Sequence, residues 1–257
     1  MDRLKEYGID RRTYFQANVK YSKVDFSGNL IEKAYLIGFR IGDLNVKIPK
    51  GSTVYVKTNT TKLDQVRLVE SLFRKYGPVR SKKYCARDIA IESYLNKSFA
   101  FLVPKHEYIP NWIMARKRLF WAFLAGYTDA EGNIGVYSNR ARFRVRTCDF
   151  NILKQIYTYL NARGIRCHLT LEAKPKKHKL NAPFWCVSCN EMYSLSKLFY
   201  LIAPYLRHGK RCKDLKIATD NIYERILRRK LSCAKKNFLY YDGYRLPKLP
   251  SSFRPCL

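Results

Sequence analysis

Acidic residues are scarce in this chain. Only 20 Asp and Glu stand against 50 Lys and Arg, a formal net charge of +30. Such an imbalance favours a polyanionic partner, nucleic acid first. Ribosomal proteins and membrane-surface binders share the charge, but they seldom carry 20 Tyr and 14 Phe in a chain that is 47% hydrophobic. Long apolar runs are missing too: none approaches the roughly 20 residues that span a bilayer. The opening "MDRLKEYGIDRR" lacks the apolar core of a secretory signal, and Asp2, Glu6 and Asp10 do not suit an organellar transit peptide. The expectation is an intracellular protein of the cytoplasm, nucleoid or organelle matrix, with no membrane partner. Paired cysteines are also few. Of eight, only Cys186 and Cys189 form a CxxC, and no second pair completes a zinc ribbon. "FWCVSC" has the spacing of a redox motif, yet no Pro or Gly lies between the cysteines and no helix signal follows. Reduced, packed thiols are expected.

What is present is a repeat. A chain of 257 residues suffices for one large or two small domains. "AYLIGFRIGDLNVKI" (34–48) aligns with "AFLAGYTDAEGNIGV" (122–136): Leu36 falls on Leu124, Gly38 on Gly126, Gly42 on Ala130 and Asp43 on Glu131, all 88 residues apart. Downstream, "VYVKTNTTKLDQVRLVESLFRKYG" matches "FRVRTCDFNILKQIYTYLNARG" in pattern, with Gly77 and Gly164 each closing an amphipathic helix. Each copy is expected to run helix, two strands, helix, two strands, helix. The second helix of copy one should cover about 61–76, and helical patterns resume at 191–206 and 213–231. The organisation expected is an N-terminal extension (1–30), repeat one (31–103), a linker (104–116), repeat two (117–215), and a C-terminal helix and tail (216–257).

Every fourth residue in the two leading helices is small: Ala34, Gly38, Gly42, then Ala122, Gly126, Ala130. That spacing lines them on one face. Glycine inside a helix costs about 1 kcal/mol relative to Ala, and close approach of two helices would offset it. If the stripes pack in parallel, Asp43 and Glu131 emerge side by side at helix C-termini, where the macrodipole disfavours negative charge. A divalent cation resolves that repulsion, with the terminal carbonyls of Gly42 and Ala130 as further oxygen ligands. The plain alternative for either acid alone is a solvated helix end. Asp129 has Ile41 opposite it in copy one, so a local capping or orienting role is expected of it.

"LIGFRIGDL" (36–44) and "LAGYTDAEG" (124–132) resemble the two LAGLIDADG motifs of a single-chain homing endonuclease. The second keeps Leu124, Ala125, Gly126, Ala130, an acid at 131 and Gly132. The first is looser, with Arg40 at a usually apolar position and Leu44 in place of the last Gly. The resemblance implies an α/β (α+β) fold of two pseudo-symmetric αββαββα repeats, each with a saddle-shaped antiparallel sheet, packed through the two motif helices. It implies double-stranded DNA as partner, a monomer, and phosphodiester hydrolysis with Mg²⁺, two or three ions, held by Asp43 and Glu131 as catalytic acids. The gene context the resemblance implies is an open reading frame inside an intron or intein. A maturase binding intron RNA on the same scaffold, or a regulator that binds DNA without cutting, are the alternatives.

The strands support a DNA-reading surface independently. "RARFRVR" puts Arg140, Arg142, Arg144 and Arg146 at period two, with Ala141, Phe143 and Val145 between them. Arg pairs with guanine edges or grips phosphate, and a two-stranded ribbon fits the major groove. In "RCHLTLEAK", His168, Thr170, Glu172 and Lys174 alternate with Cys167, Leu169, Leu171 and Ala173. Copy one offers Tyr55, Lys57 and Asn59, then Arg80, Lys82 and Tyr84. The run "KPKKHK" (174–179) reads as a phosphate-gripping loop. Thr58, Asn59 and Thr147, with Lys57 as a basic alternative, are the auxiliary active-site candidates by position.

Overall fold

The structure is a computed structural model that describes residues 22–49, 53–83, 88–174 and 182–235. In chain order its elements are α1 (Leu30–Gly42), β1 (Asn45–Lys47), β2 (Val54–Thr60), α2 (Leu63–Phe73), β3 (Val79–Lys83), β4 (Ile89–Leu95), a 3₁₀ helix (Lys97–Leu102), α3 (Asn111–Met114) and α4 (Lys117–Glu131). There follow β5 (Gly132–Tyr137), β6 (Arg140–Thr147), α5 (Phe150–Asn161), β7 (His168–Ala173), β8 (Phe184–Cys189), α6 (Met192–Ile202), a 3₁₀ turn (Ala203–Tyr205) and α7 (Gly209–Lys235). Among the described residues no helix is long and apolar enough to cross a membrane.

The chain forms two compact units. The first combines Val46–Val103 with the stretch up to Ser27; the second combines Gly28–Asn45 with everything from Pro104. The leading helix of repeat one therefore belongs, by its contacts, with repeat two.

In the first unit the sheet order is β1-β2-β4-β3, with β4 antiparallel to both its neighbours. Along β2, Val54, Val56 and Thr58 are buried while Tyr55, Lys57 and Asn59 face the other way. On α2, Val66, Val69, Leu72 and Phe73 are buried against that sheet, as an amphipathic helix beside a half-apolar sheet requires. The segment before α1 is tied down here: the Val24 amide donates to the Tyr76 carbonyl at 2.8 Å and the Phe26 amide to Ser98 Oγ at 2.9 Å. Phe26 packs among Tyr76, Phe99 and Phe101 at ring separations of 5.8, 5.2 and 5.1 Å. A Cβ at Gly77 would run into the Tyr94 carbonyl oxygen, so glycine there permits a close backbone crossing.

The expected third helix of copy one is only the 3₁₀ helix Lys97–Leu102, which buries Phe99 and Leu102 and stops short of Pro104. Seven residues between the Asn96 cap and Pro104 leave no room for an amphipathic α-helix of several turns. The expected linker holds the short α3, and α7 begins earlier than its apolar pattern suggests, at Gly209.

In the second unit the sheet order is β5-β6-β8-β7, the same order as in the first. Internal duplication at the sequence level has thus produced the same topology twice. Both sheets are antiparallel, and the mixed architecture is the one anticipated from the repeat.

The centre of the second unit is the α1–α4 pair. Asn29 starts α1, its Oδ1 accepting the Glu32 amide at 3.0 Å. A Cβ on Gly38 would overlap the Phe123 carbonyl oxygen and lie 3.0 Å from the Tyr127 nitrogen. Reciprocally, a Cβ on Gly126 would overlap the Tyr35 carbonyl oxygen and lie 3.1 Å from the Phe39 nitrogen. Since Tyr35 and Phe39 correspond to Phe123 and Tyr127, the two helices run in parallel, backbone on backbone, about a local pseudo-twofold. Alanine at either glycine should therefore destabilise the fold by about 2 kcal/mol or more despite Ala's better helix propensity. Urea unfolding of Gly38→Ala and Gly126→Ala checks this, and unchanged midpoints would refute the contact.

Candidate active site and reading faces

The parallel pair delivers its acids to one end. Asp43 is the C-cap of α1, its amide donating to the Phe39 carbonyl at 3.1 Å; Glu131 is the last residue of α4. A Cβ on Gly42 would press into the Ala130 methyl, lie 2.9 Å from Glu131 Cγ and 3.6 Å from its Oε1. Glu131 is therefore laid over the end of α1, and Asp43, Gly42, Ala130 and Glu131 form one cluster. The Glu131 carboxyl is pushed up to about 7, first by burial, then by the charge of Asp43 and that of Asp149, with Lys105 and Arg211 acting in the opposite sense. Two carboxylates and the last carbonyls of two helices make an oxygen-rich, electronegative donor set that suits a hard divalent cation. Among the described residues no group of three or more His, Cys, Asp or Glu is arranged to hold a metal.

Asp129 behaves differently from the local cap expected of it. It is 1% exposed, and its Oδ2 accepts the Tyr35 hydroxyl at 2.6 Å, the Arg207 amide at 2.8 Å and the His208 amide at 3.1 Å. One carboxylate thus joins α1, α4 and the turn leading into α7. Burial raises it to about 6, while the Tyr35 hydroxyl, the two amides and the charge of Arg211 resist that rise. Arg207 adds its guanidinium, 4.5 Å from the Tyr35 ring centroid and 3.8 Å from Glu32. The position could not be read from the repeat, because its copy-one partner is Ile41 and its own partners lie 78 to 94 residues away. Removing it should cost stability: Asp129→Asn is expected to lose about 2–4 kcal/mol and Tyr35→Phe about 1 kcal/mol, both read by urea denaturation. Equal midpoints for wild type and Asp129→Asn would contradict the hub.

Asp149 is a second acid that the pattern concealed as a helix-start residue. Its Oδ2 accepts the Tyr127 and Thr147 hydroxyls, each at 3.2 Å, and its charge reaches Glu131. The positions that match Tyr127 and Asp149 in copy one are Phe39 and Thr60, so this cluster belongs to repeat two alone. Thr147 is 8% exposed and Thr58 6%; both lie on the apolar sides of their strands. Of the auxiliary candidates, Thr147 thus meets an acid that acts on Glu131, whereas Thr58 sits in the first unit.

Neither a protein-family model nor a curated protein sequence matches this chain. Solved structures do. A variant of I-DmoI in complex with its target DNA, nicked in the coding strand and with Mn, superposes with a TM-score of 0.52 at 18% identity, over 70% of this chain and 99% of that one. The LAGLIDADG homing endonuclease I-SmaMI bound to cleaved DNA gives 0.51 at 10% identity, over 83% and 95%. Full-length DUF199/WhiA from Thermatoga maritima gives 0.50 at 14% identity, over 83% and 68%. The fold is that of the LAGLIDADG homing endonucleases.

The two departures of 36–44 from the LAGLIDADG pattern it resembles explain one another. Arg40 is 8% exposed, and its Nη1 donates to the Leu44 carbonyl, the backbone position where the second motif has Gly132. Position 40 corresponds to Thr128, and a Cβ on Gly132 would collide with that threonine. The exit of helix one is thus closed by a guanidinium, and that of helix two by a glycine.

The two sheets each present one polar face. In β6, Ala141, Phe143, Val145 and Thr147 are buried while Arg140, Arg142, Arg144 and Arg146 line the other side. Tyr137 lies across from Arg140, its ring 6.0 and 5.9 Å from the Arg142 and Arg144 guanidinium carbons. The hairpin turn holds Ser138 and Asn139 at φ of 49° and 57°, and Asn221 of α7 braces it, bonding Asn139 Oδ1 at 2.9 Å and the Ala141 amide at 3.1 Å. His168 and Thr170 are exposed on β7, but the alternation breaks at a bulge between Leu171 and Ala173. Leu171, expected inside, is 39% exposed as a result, and Lys174 lies just past the strand. In the first unit Lys57, Asn59, Arg80 and Lys82 share one face through the β2–β4 and β3–β4 registers. Tyr84 and residues 175–179 lie outside the described residues.

Cys186 and Cys189 are buried, unpaired and within strand β8, where residues three apart point to opposite faces. Burial pushes the Cys189 thiol up to about 12, which disfavours the thiolate that redox exchange requires.

Proposed function

We propose that this chain is a site-specific endonuclease that hydrolyses double-stranded DNA with divalent metal ions at a long, asymmetric target. The observation that carries this reading is the pair Asp43 and Glu131, held together at the C-termini of parallel helices although burial and mutual repulsion oppose it. A fold selected only for stability has no use for such a pair. Asp43 and Glu131 would hold Mg²⁺, with the carbonyls of Gly42 and Ala130 as further ligands. When bound, the metal supplies Lewis-acid stabilisation of the phosphate and a more acidic water.

The chain's own residues do the rest. Arg140, Arg142, Arg144 and Arg146 on one sheet, and Lys57, Arg80 and Lys82 on the other, neutralise phosphates and reach base edges, joined by Asn59, His168, Thr170 and Lys174. Lys105 and Arg211, whose charges act on Glu131, favour its ionised form and attract the phosphodiester. Because the repeats differ at Tyr127, Asp149 and the reading strands, the two half-sites recognised should differ too. Two of the neighbours in fold were solved with nicked or cleaved target DNA, which supports the reading.

The test is cleavage of duplexes bearing the gene's candidate insertion site, and of a randomised duplex pool, with and without Mg²⁺. Double-strand breaks that need Mg²⁺ are expected, falling by at least about 10²-fold in Asp43→Asn and in Glu131→Gln, the scale of losing a group that stabilises the transition state. Breaks that persist in both variants, or an absence of breaks in either substrate, would overturn the reading.

A further inference from the structure

One acid stands on the basic face of the first sheet, where repulsion from DNA phosphates should exclude it. Glu92 lies on β4, an inner strand, directly across from Lys57 on β2 and from Arg80 on β3. Its Oε1 accepts the Tyr55 hydroxyl at 2.7 Å, its Oε2 accepts the Tyr94 hydroxyl at 3.3 Å, and the Lys57 ammonium lies 3.9 Å from Oε1. The rings are fixed in turn: Tyr55 and Tyr94 are 5.3 Å apart, the Arg80 guanidinium is 5.9 Å from the Tyr94 ring and the Lys47 ammonium 5.4 Å from that of Tyr55. The carboxylate is therefore oriented by two phenols and a lysine while a quarter of its side chain stays exposed.

A carboxylate has about four acceptor positions, and these three partners leave capacity for another donor. Among the base edges in the major groove, cytosine offers only an amino donor. Guanine offers two acceptors, thymine an acceptor and a methyl, and adenine a donor beside an acceptor that would repel the carboxylate.

We infer that Glu92 is a specificity-determining residue that accepts a hydrogen bond from the amino group of a cytosine at one position of the target, with Tyr55 and Tyr94 as the residues that aim it. The inference rests on the DNA-binding reading above. In this role Glu92 weakens binding to every wrong sequence, since phosphate repulsion is then uncompensated, and so acts against non-specific association. The second sheet carries a related but more closed pair, Arg146 with Glu172 at 3.0 Å. There the arginine engages the acid closely, whereas at Glu92 the lysine stands 3.9 Å away and neutral hydroxyls bond both oxygens.

The experiment is enrichment of bound molecules from a pool of randomised duplexes, in Ca²⁺ buffer, by the full chain and by Glu92→Gln, Glu92→Ala and Tyr55→Phe, each first checked for an unchanged melting temperature. For wild type one position should select cytosine by about tenfold or more. Glu92→Gln should turn that position to adenine, which a glutamine reads bidentately, and Glu92→Ala should leave it unselected. Both should bind the unselected pool several-fold more tightly, and Tyr55→Phe should keep cytosine with weaker preference. The same selected sequence from wild type and Glu92→Gln, or uniformly weaker binding to all sequences in the variants, would overturn the inference. If wild type itself selects nothing, it is the sequence-specific DNA-binding reading that fails, and the inference falls with it.

Discussion

The contact on which everything else depends is the backbone crossing of α1 and α4 at Gly38 and Gly126. Neither position has space for a methyl group, because each faces a main-chain carbonyl of the other helix. That reciprocity fixes the axial register of the two helices, and the register in turn decides where they end. With the small residues one turn further on, Gly42 and Ala130, the approach continues to the last turn and leaves Glu131 folded over the end of α1. The electrostatic conflict at Asp43 and Glu131 is thus a product of packing. It could be relieved by sliding one helix, but the glycines forbid that.

Such a conflict needs a firm frame. Asp129, two residues before Glu131, supplies it by holding Tyr35 of α1 and the amides of Arg207 and His208 on one oxygen. Two acids one half-turn apart therefore have opposite characters. Asp129 takes three donors on one oxygen and holds structure; Glu131 is opposed by the charges of Asp43 and Asp149, against which Lys105 and Arg211 act. Asp149, which accepts the Tyr127 hydroxyl, extends the negative side of the cluster in repeat two only, so the pseudo-symmetry of the scaffold does not extend to its chemistry.

Much of this was legible in the sequence, for physical reasons. Small residues at period four and arginines at period two are local signals, and both survive into the structure as a helix seam and a one-sided strand. The repeat offset of 88 by itself aligns the two acids. Long-range partnerships were not legible. Nothing near Asp129 points to Arg207, and nothing in "TCDFN" marks Asp149 as more than the start of a helix. Leu171 deceived the alternation because a bulge shifts register without altering composition. The odd residues of the first motif, Arg40 and Leu44, looked like separate divergences; only the hydrogen bond between them makes them one solution to closing a helix.

If the acids are kept at a cost to the fold because a cation belongs between them, their removal must stabilise the metal-free protein. Thermal melting of wild type and Glu131→Gln, each with EDTA and with Mg²⁺, reads this directly. The account predicts that in EDTA Glu131→Gln melts above wild type, and that Mg²⁺ raises wild type while leaving the variant unmoved. A variant that melts at or below wild type in EDTA, or that gains as much as wild type from Mg²⁺, would contradict it.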